Sequence, residues 1–388
     1  MTRTRLAAPL SYSLTSLFNF ALSLVVLLIP LYGLHLGLSL PTIGILISVP
    51  GFIQIGLRLG AGVLIDNWGE RAGLVLTFFF GTGAGILFML AHGFYLLALA
   101  QVFMGFGRSF FWTSWQSYAG RIPGTEAVQV IGRTTSFVWV GRILGIVLGG
   151  VLVEFFGYRQ AFGSMLFVVV LGLVLANFLP ALPKKNASLR TSLQEIPNLV
   201  RQKSLQMTAI VCFFAALATA LTENFYPVWF HGLGFSETAI GLLMATRGLG
   251  SIISTFSFGY LTRLFREEQL VQIAILAPGM LLLSLPFIKS ALVIVVVIMA
   301  VGILASIGQV SYVSMASAYS SEEYRGMALS LVGMAWSLAY IVGPIPFSHA
   351  ANSLGVATAF LLLGLIYVLV GSVAGAIYRK FIPRPAQG

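Results

Sequence analysis

The chain has 388 residues, of which 58% are hydrophobic and only 9% carry a formal charge, and its mean hydropathy is +0.96. A soluble domain carries about 25% charged residues, so this composition cannot clothe a water-facing surface and excludes an ordinary globular domain. The formal net charge is nevertheless +11. A basic chain often means nucleic acid, but a nucleic-acid binder also needs a solvated surface. An integral membrane protein reconciles the two numbers, because basic residues collect on its cytoplasmic rim.

A spanning helix needs about 20 mostly apolar residues. In chain order the sequence predicts spans at 11–34, 40–64, 73–91, 94–119, 128–153, 160–180, 205–231, 237–261, 270–288, 291–318, 327–348 and 354–378. The first is too long for a signal-peptide core of about 7–15 residues and reads as a membrane helix. Polar residues fall between spans, at Asp66 to Arg71, Arg121 to Glu126, Gly157 to Arg159, Arg263 to Glu268 and Ser320 to Arg325. The longest polar stretch, 182–203, holds Lys184, Lys185, Arg190, Arg201 and Lys203. It divides the chain into an N-terminal bundle (1–181), a cytoplasmic linker (182–203) and a C-terminal bundle (204–388). The expected fold class is all-α integral membrane, with twelve transmembrane helices in two pseudo-symmetric six-helix bundles.

The halves repeat. Leu36-Gly-Leu-Ser39 with Ile43-Gly44 reads again as Leu233-Gly-Phe-Ser236 with Ile240-Gly241, at an offset of 197 that also relates Pro30 to Pro227 and Gly62 to Gly259. Internal symmetry of this kind is how many secondary transporters are built. With the N-terminus inside, the outer loops hold only Arg159 and Lys289 as basic residues, whereas Arg3, Arg5, Arg71, Arg121, the linker, Arg263, Arg266, Arg325, Arg379, Lys380 and Arg384 lie inside. The asymmetry predicts a multi-pass protein of the cell's inner (plasma) membrane with both termini cytoplasmic.

The loop after the second span reads Gly62-Val-Leu64-Ile-Asp66-Asn-Trp-Gly69-Glu-Arg71. It resembles the loop motif of the major facilitator superfamily, Gly-x-Leu-x-Asp-Arg-x-Gly-Arg-Arg/Lys, with Asn67 and Glu70 where that family usually has arginine. The resemblance implies a gating loop of Gly62, Asp66, Gly69 and Arg71 that latches the cytoplasmic side. Gln101-Val-Phe-Met-Gly105-Phe-Gly107 resembles the family's fourth-helix motif, with Gln101 in place of its arginine. Gly141-Arg-Ile-Leu-Gly145-Ile-Val-Leu-Gly149-Gly150 resembles the glycine-rich fifth-helix motif of proton-driven exporters, without its proline. Small residues at every fourth position also make a close helix seam irrespective of any family.

An ionisable residue inside a span is a functional hypothesis by default. Arg58 and Arg133 lie within snorkelling reach of the cytoplasmic face. Arg108 and Arg142 stand ~20 Å, and Arg247 ~15 Å, from the outer ends of their helices at 1.5 Å per residue. Glu223, ~12 Å from the outer end, is the single carboxylate expected inside a span. Two readings of it stay open. It is a proton carrier, or it is the counter-ion of Arg247. The excess of arginine favours an anionic or zwitterionic solute. The resemblance puts helices 1, 4, 7 and 10 on a central cavity, which makes Arg108 the foremost cavity residue. Trp112, Trp139, Trp336 and Tyr340, with Asn19 and Gln309 as polar handles, complete the set expected to bind substrate, and aromatic walls with few polar anchors suit an amphipathic molecule.

His35, His92, His231 and His349 all fall at predicted outer ends, so no metal site is expected, and Cys212 alone makes no intramolecular disulfide. No nucleotide-binding motif is present, so ATP is not expected to drive transport, and no cofactor is expected. An enzyme needs a nucleophile–base or metal cluster, and the spans hold one carboxylate and no mid-membrane histidine, so no enzymatic activity is expected. The partners expected are a small-molecule substrate, protons and membrane lipid, with no nucleic acid, around a monomer. The function expected is secondary active transport of a small organic solute by alternating access, either proton-coupled export by an antiporter or organic-anion uptake or exchange, with a non-transporting membrane sensor as a distant alternative.

Overall fold

The computed structural model describes residues 6–122, 127–182, 196–288, 290–321 and 324–382. Among them the labelled elements are helices, with no strand. The first half contains α1 (Ala7–His35), α2 (Leu40–Trp68), α3 (Glu70–Leu90), α4 (Phe94–Ala119), α5 (Ala127–Phe156) and α6 (Tyr158–Phe178). The second contains α7 (Lys203–Gly232), α8 (Glu237–Leu264), α9 (Glu267–Ser284), α10 (Ala291–Ala318), α11 (Arg325–Val342), α12 (Pro344–Leu354) and α13 (Val356–Phe381). Twelve spans are long and apolar enough to cross a membrane, one of them made of α11 and α12 together. Pro344 breaks that span because it has no N–H to give and its ring fixes φ. Helices are the form such a chain must take, since lipid offers no partner for open backbone groups.

Contacts divide the chain into two compact units, Met1–Ala187 with Tyr226–Ala245, and Ser188–Phe225 with Thr246–Gly388. The division cuts through α7 and α8, so the tip of their hairpin belongs with the first six helices. In the first unit α1 packs on α5 and α6, α3 on α4 and α6, and α2 on α4. In the second, α9 packs on α13 and α10, and α12 on α13.

The closest approaches are at glycines. A Cβ on Gly141 would stand 2.2 Å from the Ser16 carbonyl oxygen, and one on Gly145 2.3 Å from that of Phe20. The α5 glycine run is therefore the α1–α5 seam. Gly302 plays the same part in the second unit, where its Cβ would lie 2.1 Å from the Arg247 carbonyl oxygen. Backbone contact of this kind is what holds helices together where lipid removes the hydrophobic drive.

Three junctions consist of a single glycine. Gly69 joins α2 to α3, Gly157 joins α5 to α6 and Gly355 joins α12 to α13, with φ of 88°, 88° and 87° and ψ of 157°, 169° and 151°. That backbone region is open to glycine almost alone. The polar stretch Asp66 to Arg71 is thus less of a loop than its composition suggests. Asp66 to Trp68 continue α2, Glu70 and Arg71 begin α3, and only Gly69 lies outside a helix.

Candidate functional site

In the second unit, Glu223 of α7 and Arg247 of α8 form a buried ion pair. Nη1 of Arg247 donates to Oε1 of Glu223 at 2.8 Å, and both side chains are about 6% exposed. The stem of the pair is held from behind. Arg247 presses its carbonyl against Gly302 of α10, and one turn on, Ser251 Oγ donates to the Gly302 carbonyl at 3.1 Å. Both charges lie in a low-dielectric setting where each needs the other.

In the first unit, Arg108 is buried on α4, with Phe111 and Trp112 one turn further along. Phe111 stacks on Phe18 of α1 at 4.1 Å between centroids and meets Trp112 edge-on at 5.2 Å, and Trp112 meets Trp115 at 6.1 Å. Asn19, fully buried on α1, donates from Nδ2 to the Thr15 carbonyl at 2.9 Å. Its Oδ1 has no partner among the described residues, nor do Ser23 Oγ and Trp115 Nε1, all of them buried. At about 100° per residue, Phe18 marks the arc of α1 turned to α4, and Ser16 and Phe20 the arc turned to α5. Asn19 and Ser23 lie between these arcs. Buried polar atoms without partners mark places where a ligand or water belongs.

The remaining residues expected to bind substrate form smaller groups. Arg142, half-buried on α5, sits over the ring of Trp139 at 5.3 Å, a cation–π contact. Trp336 of α11 stacks with Tyr340 at 6.2 Å and meets Tyr312 of α10 at 6.0 Å. Gln309, one turn before Tyr312, is half-buried. The structure thus joins Glu223 to Arg247, Trp139 to Arg142 and Trp336 to Tyr340.

At the end of the first unit that carries the gating-loop motif, the surroundings of Gly62 and the side chains of Asp66 and Arg58 lie outside what is described. Arg71 donates from Nη2 to the Asn177 carbonyl at the end of α6. Among the described residues the acid at this corner is Glu70, which sequence reasoning noted only as a departure from the motif. It is buried, accepts from Ser117 Oγ of α4 at 2.8 Å and forms an ion pair with Arg121. Tyr118 OH donates to the Pro180 carbonyl at 2.9 Å. The offset of 197 carries Glu70 onto Glu267, the first residue of α9. Glu267 accepts from Tyr319 OH at 3.0 Å, just past the end of α10, and burial pushes the Tyr319 hydroxyl pKa above its usual 10.0. In each unit a carboxylate at the start of the third helix is tied to the end of the fourth. The repeat was the signal that could have found it.

The family model for the Major Facilitator Superfamily matches residues 11–222 and 208–388. Among solved structures, the crystal structure of the nucleoside transporter NupG is similar to this chain with a TM-score of 0.82 at 14% identity, covering 98% of this chain and 100% of that one. A point mutant of the same nucleoside transporter gives 0.81 at 14% identity over 96% and 100%. A bacterial homolog of the human lysosomal transporter Spinster, in an inward-facing and unoccupied conformation, gives 0.77 at 14% identity over 99% of each chain. At such identities the likeness shows the fold, and the family model spans nearly the whole chain. With its twelve apolar spans, the chain belongs to the Major Facilitator Superfamily of membrane transporters.

Proposed function

We propose that this chain is a secondary active carrier that moves a small organic solute, amphipathic or anionic, by alternating access, with proton movement coupled through Glu223. The observation that carries the reading is the buried Glu223–Arg247 pair. Breaking one side of a buried pair costs about 3–5 kcal/mol when the other charge is left unmatched. A proton arriving at Glu223 does just that, and frees the Arg247 fork for a carboxylate or phosphate on the solute. Proton loading and solute binding are then alternative ways of satisfying one arginine. Arg108, Asn19 and the aromatic rings beside them supply stacking faces and polar anchors in the first unit. The glycine-rich α5 motif favours export in an antiport cycle. The orientation follows from the basic residues, with both termini in the cytoplasm and the protein working as a monomer in the inner (plasma) membrane.

The second reading, organic-anion uptake or exchange without protons, draws on the three deep arginines against one glutamate. Nucleosides belong in the first solute panel, since the similar structures include a nucleoside transporter.

Proteoliposomes loaded with a pH-sensitive dye separate the two. Nucleosides and organic anions added outside are expected to move protons through the native protein. Glu223→Gln is expected to cut proton-coupled movement by more than tenfold while leaving solute exchange measurable. Proton flux unchanged in Glu223→Gln would sink the coupling role. Solute exchange indifferent to pH in the native protein would favour the second reading.

A further inference from the structure

The first unit contains a contact that the carrier reading does not use. The end of α5 and the beginning of α8 touch main chain to main chain. A Cβ on Gly150 would stand 2.3 Å from the Glu237 carbonyl oxygen, and one on Gly241 2.9 Å from that of Ile146. One turn beyond Gly150, the Glu154 carboxylate accepts from the backbone N–H of Thr238 at 2.9 Å. Thr238 is the second residue of α8, so its N–H is among those that the helix cannot satisfy itself. The carboxylate also faces the positive end of the α8 dipole. Ser236 caps the same end from within the chain, its Oγ accepting from Ala239 N at 3.4 Å. Glu154 is thus a second cap, supplied from 84 residues away. It secures Tyr226–Ala245, the stretch of the second repeat that packs with the first six helices.

Taking the α7–α8 hairpin tip, residues 226–245, as the outer gate that the alternating-access reading supplies, we propose that Glu154 is its latch. The proposal rests on the alternating-access reading, which requires the outer path to open once per cycle, and on the orientation that puts this hairpin outside. The chemistry suits a contact made and broken repeatedly. At Gly150 and Gly241 the two helices meet through backbone atoms. The Glu154 carboxylate is exposed, and its charge-assisted hydrogen bond to Thr238 is one that water replaces readily. Glu154 acts as a positioning residue. It sets how long the gate stays shut and touches no solute.

Spin labels on Phe156→Cys and Leu233→Cys test this in a Cys212→Ala background. Both native side chains are exposed, at 62% and 51%, at the two sides of the contact. In liposomes the distance distribution is expected to show a dominant short population and a minor longer one. Glu154→Ala is expected to raise the ratio of long to short about fivefold, as removal of a helix cap worth about a factor of five would. Glu154→Gln keeps an acceptor oxygen and is expected to fall between the two. A single distance that Glu154→Ala leaves unchanged would overturn the latch. If that protein still carries solute in the dye assay, the failure belongs to the latch alone. If the native protein carries nothing, the carrier reading fails, and the gate with it.

Discussion

At Gly141 and Gly145 the missing Cβ is what lets α5 lie on the backbone of α1. Gly145→Val is expected to push the two helices apart and cost about 1–3 kcal/mol, the usual range for overpacking a tight interior. Thermal unfolding in detergent should show a lower Tm, with Gly149→Ala milder, since its Cβ would meet Leu27 at an ordinary 3.4 Å. The seam was legible in the sequence because its signature is a spacing. The pairing of Glu223 with Arg247 was legible only as one of two readings. Depth along a helix follows from counting residues, and it placed Glu223 and Arg247 at similar levels. Azimuth depends on how α7 and α8 rotate about their axes, and only packing decides that. Asn19 is a similar case: its burial and the open Oδ1 depend on the arc of α1 left between α4 and α5.

Among elements, the third helix of each half is tied by its first residue, Glu70 in α3 and Glu267 in α9. Arg121→Met is expected to leave Glu70 buried with one hydrogen bond fewer. The cost is about 1–3 kcal/mol, the penalty of an unsatisfied buried group. Adding Glu70→Gln should recover part of it, and a double-mutant cycle on unfolding midpoints reads the coupling. Additive effects of the two substitutions would mean that the ion pair contributes nothing. Most helices were predicted within a turn because apolar runs of spanning length have few alternatives. The errors fall where geometry is special. The second span was expected to stop at 64, but α2 runs on to Trp68, since nothing before Gly69 breaks it. The eleventh, expected over 327–348, is one span from Arg325 to Leu354, with a break ahead of Pro344 between α11 and α12.

For the whole molecule, the charge asymmetry makes a prediction about sidedness. In the Cys212→Ala background, a cysteine at Tyr95, which is 86% exposed, is expected to react with a membrane-impermeant maleimide added outside intact cells. A cysteine at Trp68, 59% exposed, should react only after the cells are opened. The reverse pattern would invert the topology. Twelve spans, the twofold repeat and the family were all legible because each is written over many residues and survives local error. The latching role expected of Asp66 and Arg71 came from resemblance. Among the described residues, Arg71 donates to the end of α6, and Glu70 pairs with Arg121 beside it.

The three one-glycine junctions bear on anyone who would equip this protein with a reporter. Gly69, Gly157 and Gly355 share one backbone geometry that other residues scarcely reach, and each leaves no slack between its two helices. A tag or fluorescent domain spliced at any of them must pull two packed helices out of register, however polar the neighbouring residues look. The connection between α1 and α2 across Leu36–Ser39 is longer, as is the one between α7 and α8 across Leu233–Ser236, but the latter adjoins the latch. The Leu36–Ser39 turn is therefore the place to insert one.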